Sequence, residues 1–138
     1  MSFILRKGKT KMISLPVAAS VVLTDGALVA LSSGTVILAT SSTTKHVGVC
    51  RKTIATTDSD YAVAKMVPVQ VPIQEGVIWE ALTASAVIGD IGTAVDLTDS
   101  VTVNRGGTTH HVVTIVEFYS ATKVGVILNA VLSTYNGG

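Results

Sequence analysis

Apolar and polar positions alternate along this chain with a period close to two, in short runs cut by turn residues. That period places every second side chain on one face of an extended strand. Ile13, Leu15 and Val17 alternate with smaller or polar neighbours and predict a first strand. Ala27–Leu31 and Thr35–Ala39 flank Ser32-Ser33-Gly34, the pattern of a three-residue hairpin with glycine in the left-handed position. His46–Lys52 resumes as a strand after a polar loop at Ser41–Thr44. Farther on, Val67, Val69, Val71 and Ile73 point one way and Pro68, Gln70, Pro72 and Gln74 the other. Two prolines remove two ladder donors, so this segment is expected at a sheet edge or along a partner. Val77–Leu82, carrying Trp79, and Thr93–Leu97 follow. His110–Tyr119 and Val124–Leu132, joined by Ser120-Ala121-Thr122-Lys123, read as the strongest hairpin.

Turn signals at Asp25-Gly26, Glu75-Gly76, Gly89–Gly92, Asp99-Ser100 and Asn104–Gly107 recur at the spacing of a barrel or sandwich. Only Thr57–Ala64 offers the start of a helical turn, with Thr57 or Asp58 as its cap. The pattern therefore predicts an all-β fold, a compact β-barrel or β-sandwich. Composition agrees: 22 Val and 18 Thr in 138 residues favour pleated sheet over helix.

Charge changes the picture at the N-terminus. Arg6, Lys7, Lys9 and Lys11 are four of the ten basic residues, and no acid precedes Asp25. Beyond Lys11 six basic residues face nine acids, a balance of −3. Residues 1–11 are thus expected as an extended basic arm, ahead of a single β domain spanning 12–138, reaching an acidic neighbouring surface. Mean hydropathy of +0.57 is high for a small domain that must cover its own surface, yet no apolar run approaches the ~20 residues of a membrane helix. The excess is expected to be buried between copies, with Val67, Val69, Val71, Ile73 and Trp79 as the subunit interface. Charges that follow a short apolar stretch reverse the order of a secretory signal, so no targeting segment is expected.

The residues offer little chemistry. Cys50 is the single cysteine and reads as a small buried apolar group. His110-His111 is the natural suspect for metal, but neighbours on a strand point to opposite faces, and no ligand-spaced cysteine or carboxylate is nearby. Asp58-Ser59-Asp60 has the opening of a calcium loop without its glycine or distal glutamate. No nucleophile sits in an elbow with a base. Aromatic residues are 4% and no nucleic-acid motif is present. No catalytic residue, cofactor, metal, nucleic acid, membrane or small-molecule substrate is expected. An enzyme reading would need His46, His110 and His111 gathered in a pocket with a carboxylate.

Taken in order, the basic lead-in, Val17-Ala18-Ala19-Ser20, Gly26-Ala27-Leu28-Val29, Ser33-Gly34, His46-Val47-Gly48-Val49, Thr56–Tyr61, the proline-containing valine strand, Trp79-Glu80-Ala81, Gly89–Gly92 and Val95-Asp96-Leu97 form a recognisable whole. The chain resembles the small capsid decoration, or cement, proteins of tailed bacteriophages. That resemblance implies a β-barrel or β-sandwich on the outer surface of the virion, made in the host cytoplasm. It implies a homotrimer that binds the major capsid protein and stabilises the shell by bridging capsomers with its arm. A β-barrel adhesin or receptor-binding module, or another head or tail part of a virion, is the alternative.

Overall fold

A computed structural model describes residues 3–43, 45–74 and 76–129. Among the described residues eleven strands form: β1 (Ile4–Lys7), β2 (Thr10–Val17), β3 (Leu28–Ser32), β4 (Thr35–Leu38), β5 (His46–Cys50), β6 (Lys65–Pro72), β7 (Ile78–Leu82), β8 (Ala94–Asp99), β9 (Thr102–Asn104), β10 (Val113–Ser120) and β11 (Lys123–Leu128). One 3-10 turn, Ile88–Asp90, stands between β7 and β8. The all-β expectation holds.

The strands divide between two sheets. In the first, β7, β11, β10, β8 and β9 follow one another, and a parallel pair, Leu82 with Thr102, returns β9 to β7 and closes a five-stranded barrel. Strand β1 pairs antiparallel with β7 outside that closure. The second sheet runs β2-β6-β5-β3-β4 and stays open. Trp79, Phe3, Leu97 and Ile115 fill the barrel, joined by Leu28 and Val49 from the open sheet. Val17, Val29, Val47, Val67, Val69 and Val71 form a second core within the curl of that sheet.

Strand β5 is buried at every position because it serves both cores. Its register with β3 slips between Val29 and Ala30, a bulge that sends Val47 to the second core and Val49 to the barrel core despite equal parity. Gly48 lies within this bulge, and a Cβ there would be driven into the Gln70 carbonyl oxygen. Only glycine permits that approach of β6.

Several expectations are corrected. Strand β6 lies between β2 and β5 rather than at an edge. Its pairing with β5 is confined to Val49–Gln70 and Cys50–Val69, while its ladder with β2 runs unbroken from Thr10–Pro72 to Val17–Lys65. The Pro68 carbonyl accepts the Arg51 N–H at 3.1 Å, so Pro68 turns its backbone groups toward β5, beyond the paired residues. A missing N–H there costs the β2 ladder nothing. The β3–β4 connection is a two-residue turn: Ser32 pairs with Thr35, and Ser33 and Gly34 have φ of 50° and 83°. Thr57–Ala64 forms successive turns instead of a helix, with the Asp58 carboxylate accepting the Ala55 N–H at 2.9 Å. His110 and His111 precede β10 in a bend instead of belonging to the strand, and β11 closes at Leu128. The expected continuation through Leu132 falls from residue 130 onward outside the described residues, as do Thr44 and Glu75 of two expected turns.

The boundary expected between an arm at 1–11 and a body from Met12 is not a structural one. Phe3 is buried in the barrel core, β1 is hydrogen-bonded to β7, and β2 begins at Thr10.

Candidate interaction surface

The four basic residues expected on the arm separate into two pairs. Strand β1 carries Arg6 and Lys7 over the outside of the barrel. Arg6 lies 3.4 Å from Glu80 on β7 and its guanidinium stands 5.1 Å from the centre of the Tyr119 ring. Lys7 reaches Glu117 on β10 at 3.2 Å. The Tyr119 hydroxyl donates to Glu117 as well, and Tyr119 crosses the barrel over Gly125, where a Cβ would come within 2.7 Å of that hydroxyl. Tyr119 and Lys7 together hold the Glu117 carboxyl below its ordinary range, while burial and then the bond to Glu117 raise Tyr119. Arg6 and Lys7 therefore fasten their own strand to the barrel. Lys9 and Lys11 are exposed and form no ion pair among the described residues. Lys9 is positioned by its backbone, whose N–H donates to the Gln74 side chain at 2.6 Å.

The expected subunit interface is mostly interior. Val67, Val69 and Val71 line the second core and Trp79 the barrel, each at most 1% exposed; Ile73 alone is half-buried. A period-two apolar face states that something covers it, and here the same chain does. Trp79 Nε1 is enclosed without a hydrogen-bond partner among the described residues.

What remains exposed and apolar lies elsewhere. The outer face of the β2–β6 ribbon carries Met12 and Met66, 55% and 58% exposed, with Ser14 and Pro16 beside them. At the far end of β2 an open, almost wholly apolar depression is lined by Pro16, Val17, Ala18, Ala19, Ala64 and Met66, with Thr35 and Lys65 at its rim. Lys65 donates to the Asp60 carbonyl at 2.6 Å and lies 3.6 Å from its carboxylate, so its charge is engaged within its own loop. A second apolar point is the 3-10 turn, where Val87, Ile88 and Ile91 are 51%, 71% and 46% exposed. Asp90 holds it by accepting the Val87 N–H at 2.9 Å and two bonds from Arg105, at 2.6 and 2.9 Å. Those bonds, Arg105 first, keep the Asp90 carboxyl low.

The fold brings His46 close enough to His110 to feel its charge, and His110 beside Asp96. Asp96 on β8 is buried and accepts the N–H groups of Thr109, His110 and His111 at 3.0, 2.7 and 2.9 Å. Burial works to raise its pKa; the three N–H bonds outweigh burial and leave it lowered. His110 Nδ1 is 3.7 Å from Asp96 and has no hydrogen-bond partner among the described residues. His46, on β5, is 3% exposed and shares a 2.8 Å hydrogen bond with the Thr43 hydroxyl. Its burial, followed by repulsion from charge on His110, pushes its pKa down to about 4. His111 takes a left-handed φ of 51°, with its carbonyl bonded by the Asn129 side chain at 2.6 Å. The cluster joins the open sheet to the barrel, and among the described residues no three potential ligands come together to hold a metal.

Sequence reasoning missed Met12, Met66 and Pro16 as a surface, although the signal was present: they occupy the positions left over when the inward faces of β2 and β6 are assigned. No protein-family model matches the chain, and no curated protein is significantly similar to it.

Proposed function

We propose that the chain is a structural virion protein: a small β-barrel module that binds the outer surface of a tailed-phage capsid, takes the major capsid protein as partner and stabilises the shell by bridging capsomers. One observation carries the reading. Uncharged apolar surface at Met12, Met66 and Pro16 stands on a hydrogen-bonded strand pair and runs into an apolar depression where Lys65 is engaged internally, and Lys9 and Lys11 form no ion pair among the described residues. Such a surface suits attachment, since preformed apolar contact loses little entropy on binding and modest contacts engaged together act as one tight attachment. The order of sequence features shared with decoration proteins supports the same reading. A homotrimer is the proposed working state, with the clamped knuckle of Val87, Ile88 and Ile91 as contact area between copies.

The test is addition of purified protein to shells assembled without it, followed by sedimentation and imaging. Saturable decoration at symmetry-related positions, with a raised disruption temperature of the shell, is the expected result. Absence of binding would overturn the proposal. Mass photometry of the free protein and of protein released from shells checks the trimer.

A further inference from the structure

Strand β2 ends one side of the open sheet, with β6 as its neighbour. In an antiparallel ladder alternate residues exchange hydrogen bonds with the partner, and those between point the same groups away. The Ile73 N–H donates to the Lys9 carbonyl at 3.1 Å, in line with the register that sets Thr10 opposite Pro72 and Val17 opposite Lys65. Lys11, Ile13, Leu15 and Val17 share the parity of Lys9 and face β6, while Thr10, Met12, Ser14 and Pro16 turn their backbone groups outward. The prolines agree. Pro72 and Pro68 oppose Thr10 and Ser14, and Pro16 opposes Met66, so every missing N–H falls outside the β2–β6 ladder. Met12 and Ser14 are exposed, and no strand among the described residues pairs with β2 on that side. Strand β4 approaches β2 at its far end, where Thr35 shares a depression with Pro16 and Val17.

We propose that this edge takes an extended segment of a partner protein as an added antiparallel strand, one in which two apolar residues precede two carboxylates spaced two residues apart. The backbone selects an extended chain, whose own donors and acceptors recur at the strand repeat and complete those of Met12 and Ser14. Side chains select its sequence. Directly opposed residues of neighbouring strands share a face, so an added strand reads both faces of β2 in alternation. On the face toward the second core stand Lys9 and Lys11, exposed and without an ion pair among the described residues, followed by half-buried Ile13. On the other face Met12 is 55% exposed. Running antiparallel, the segment therefore sets carbon opposite Ile13 and then Met12, a carboxylate opposite Lys11 and a second opposite Lys9. No acid occurs before Asp25, so β2 itself supplies none. Pro16, which offers no donor, ends the readable stretch. A second copy of this chain fits poorly, because β2 paired with itself through Met12 and Ser14 sets lysines of both copies on one face with no acid among them. The inference goes beyond the virion reading and needs no shell, so each stands or falls alone.

The probe is an acetylated and amidated peptide, Ser-Thr-Val-Leu-Glu-Thr-Glu-Ser, added at millimolar concentration to full-length protein, with the reversed sequence as control. Amide resonances and hydrogen exchange are read by NMR with and without peptide. In free protein the Met12 and Ser14 N–H groups should exchange rapidly and those of Lys11 and Ile13 slowly. The peptide should bind saturably, shift the resonances of β2 and slow exchange at Met12 and Ser14. Ser14→Pro removes an outward donor while sparing the β2–β6 ladder, and should bind about tenfold more weakly, its fold verified by circular dichroism. K9E/K11E should reject the peptide and take a version with both glutamates changed to lysine. Equal binding of the forward and reversed peptides, or undiminished binding by folded Ser14→Pro, would overturn the added antiparallel strand. Binding of the acidic peptide by K9E/K11E as tightly as by wild type would overturn the assignment of carboxylates. Slow exchange at Met12 and Ser14 in free protein would show the edge already covered by this chain or a copy of it, and an absence of saturable binding would overturn the proposal outright.

Discussion

Acidification should loosen this protein through His46 before it reaches any carboxylate. The imidazole is 3% exposed on β5, where both sheets meet, and its pKa is pushed down to about 4 from 6.5 by burial and by His110. Falling pH protonates the unfolded chain first. Between pH 6.5 and about 4 the unfolded state holds more protons at this site, so stability rises with pH there and is lost on acidification. Each pH unit of that difference is ~1.4 kcal/mol, which makes the full loss on the order of 3 kcal/mol. That is a large fraction of the ~5–15 kcal/mol typical of a domain. Below about pH 4 the His46 contribution has run its course, and Asp96, whose folded pKa is lowered, begins to lose the stability of its three N–H bonds. The assay is urea unfolding of wild type and His46→Gln at several pH values from 7 to 4. The glutamine can still bond Thr43 but does not titrate, so any constant cost of the substitution cancels from the slope. Wild type should lose about 3 kcal/mol more than the variant over this range. Parallel losses in the two proteins would refute the assignment of a buried, neutral His46.

The remaining expectations concern the fold that presents the surface. Gly48→Ala should destabilise by several kcal/mol or prevent folding, because its Cβ meets the Gln70 backbone and has nowhere to relax; a denaturant midpoint equal to wild type would contradict the bulge. Phe3→Ala should cost about 3–5 kcal/mol, and deletion of residues 1–9 should lower the melting temperature, since β1 and Phe3 belong to the barrel; an unchanged melt would restore the free arm. Cys50, fully buried with its thiol pKa raised chiefly by burial, should resist alkylation in native protein and react on unfolding. Rapid labelling of native protein would show that the second core is open.

Much of the architecture was legible because period-two alternation is a local property. Ile13, Leu15 and Val17 turn inward from β2 as their spacing requires, and the turns at Asp25-Gly26, Ser33-Gly34 and Asn104–Gly107 fall where glycine and asparagine mark them. The misreadings share a different character. Two prolines argued for an edge strand, but the cost of a missing N–H depends on which neighbour that group faces, and at Pro68 it faces β5 beyond the paired residues. The helical turn at Thr57–Ala64 lost to successive turns closed by Asp58 and anchored through Tyr61, whose hydroxyl donates to the Ser20 carbonyl at 3.1 Å. Of the site residues, Lys9 and Lys11 were found by charge alone; Met12, Met66 and Pro16 were visible only as the residue of a strand assignment.

By itself, then, the sequence determined that this chain is built of short strands, which side chains on each strand share a face, and that its N-terminal end is basic and free of acid. Those are consequences of backbone geometry and composition, fixed within a few residues of each position. Tertiary structure decided which strands became neighbours, and hence whether an apolar face was covered from within or left for a partner. Val67, Val69 and Val71 became core because the open sheet curls over them; Arg6 and Lys7 became fasteners because β7 and β10 bring Glu80 and Glu117 beneath them. Pairing between distant strands is selected by the total surface buried and the hydrogen bonds completed across the whole molecule, a quantity that no local pattern contains.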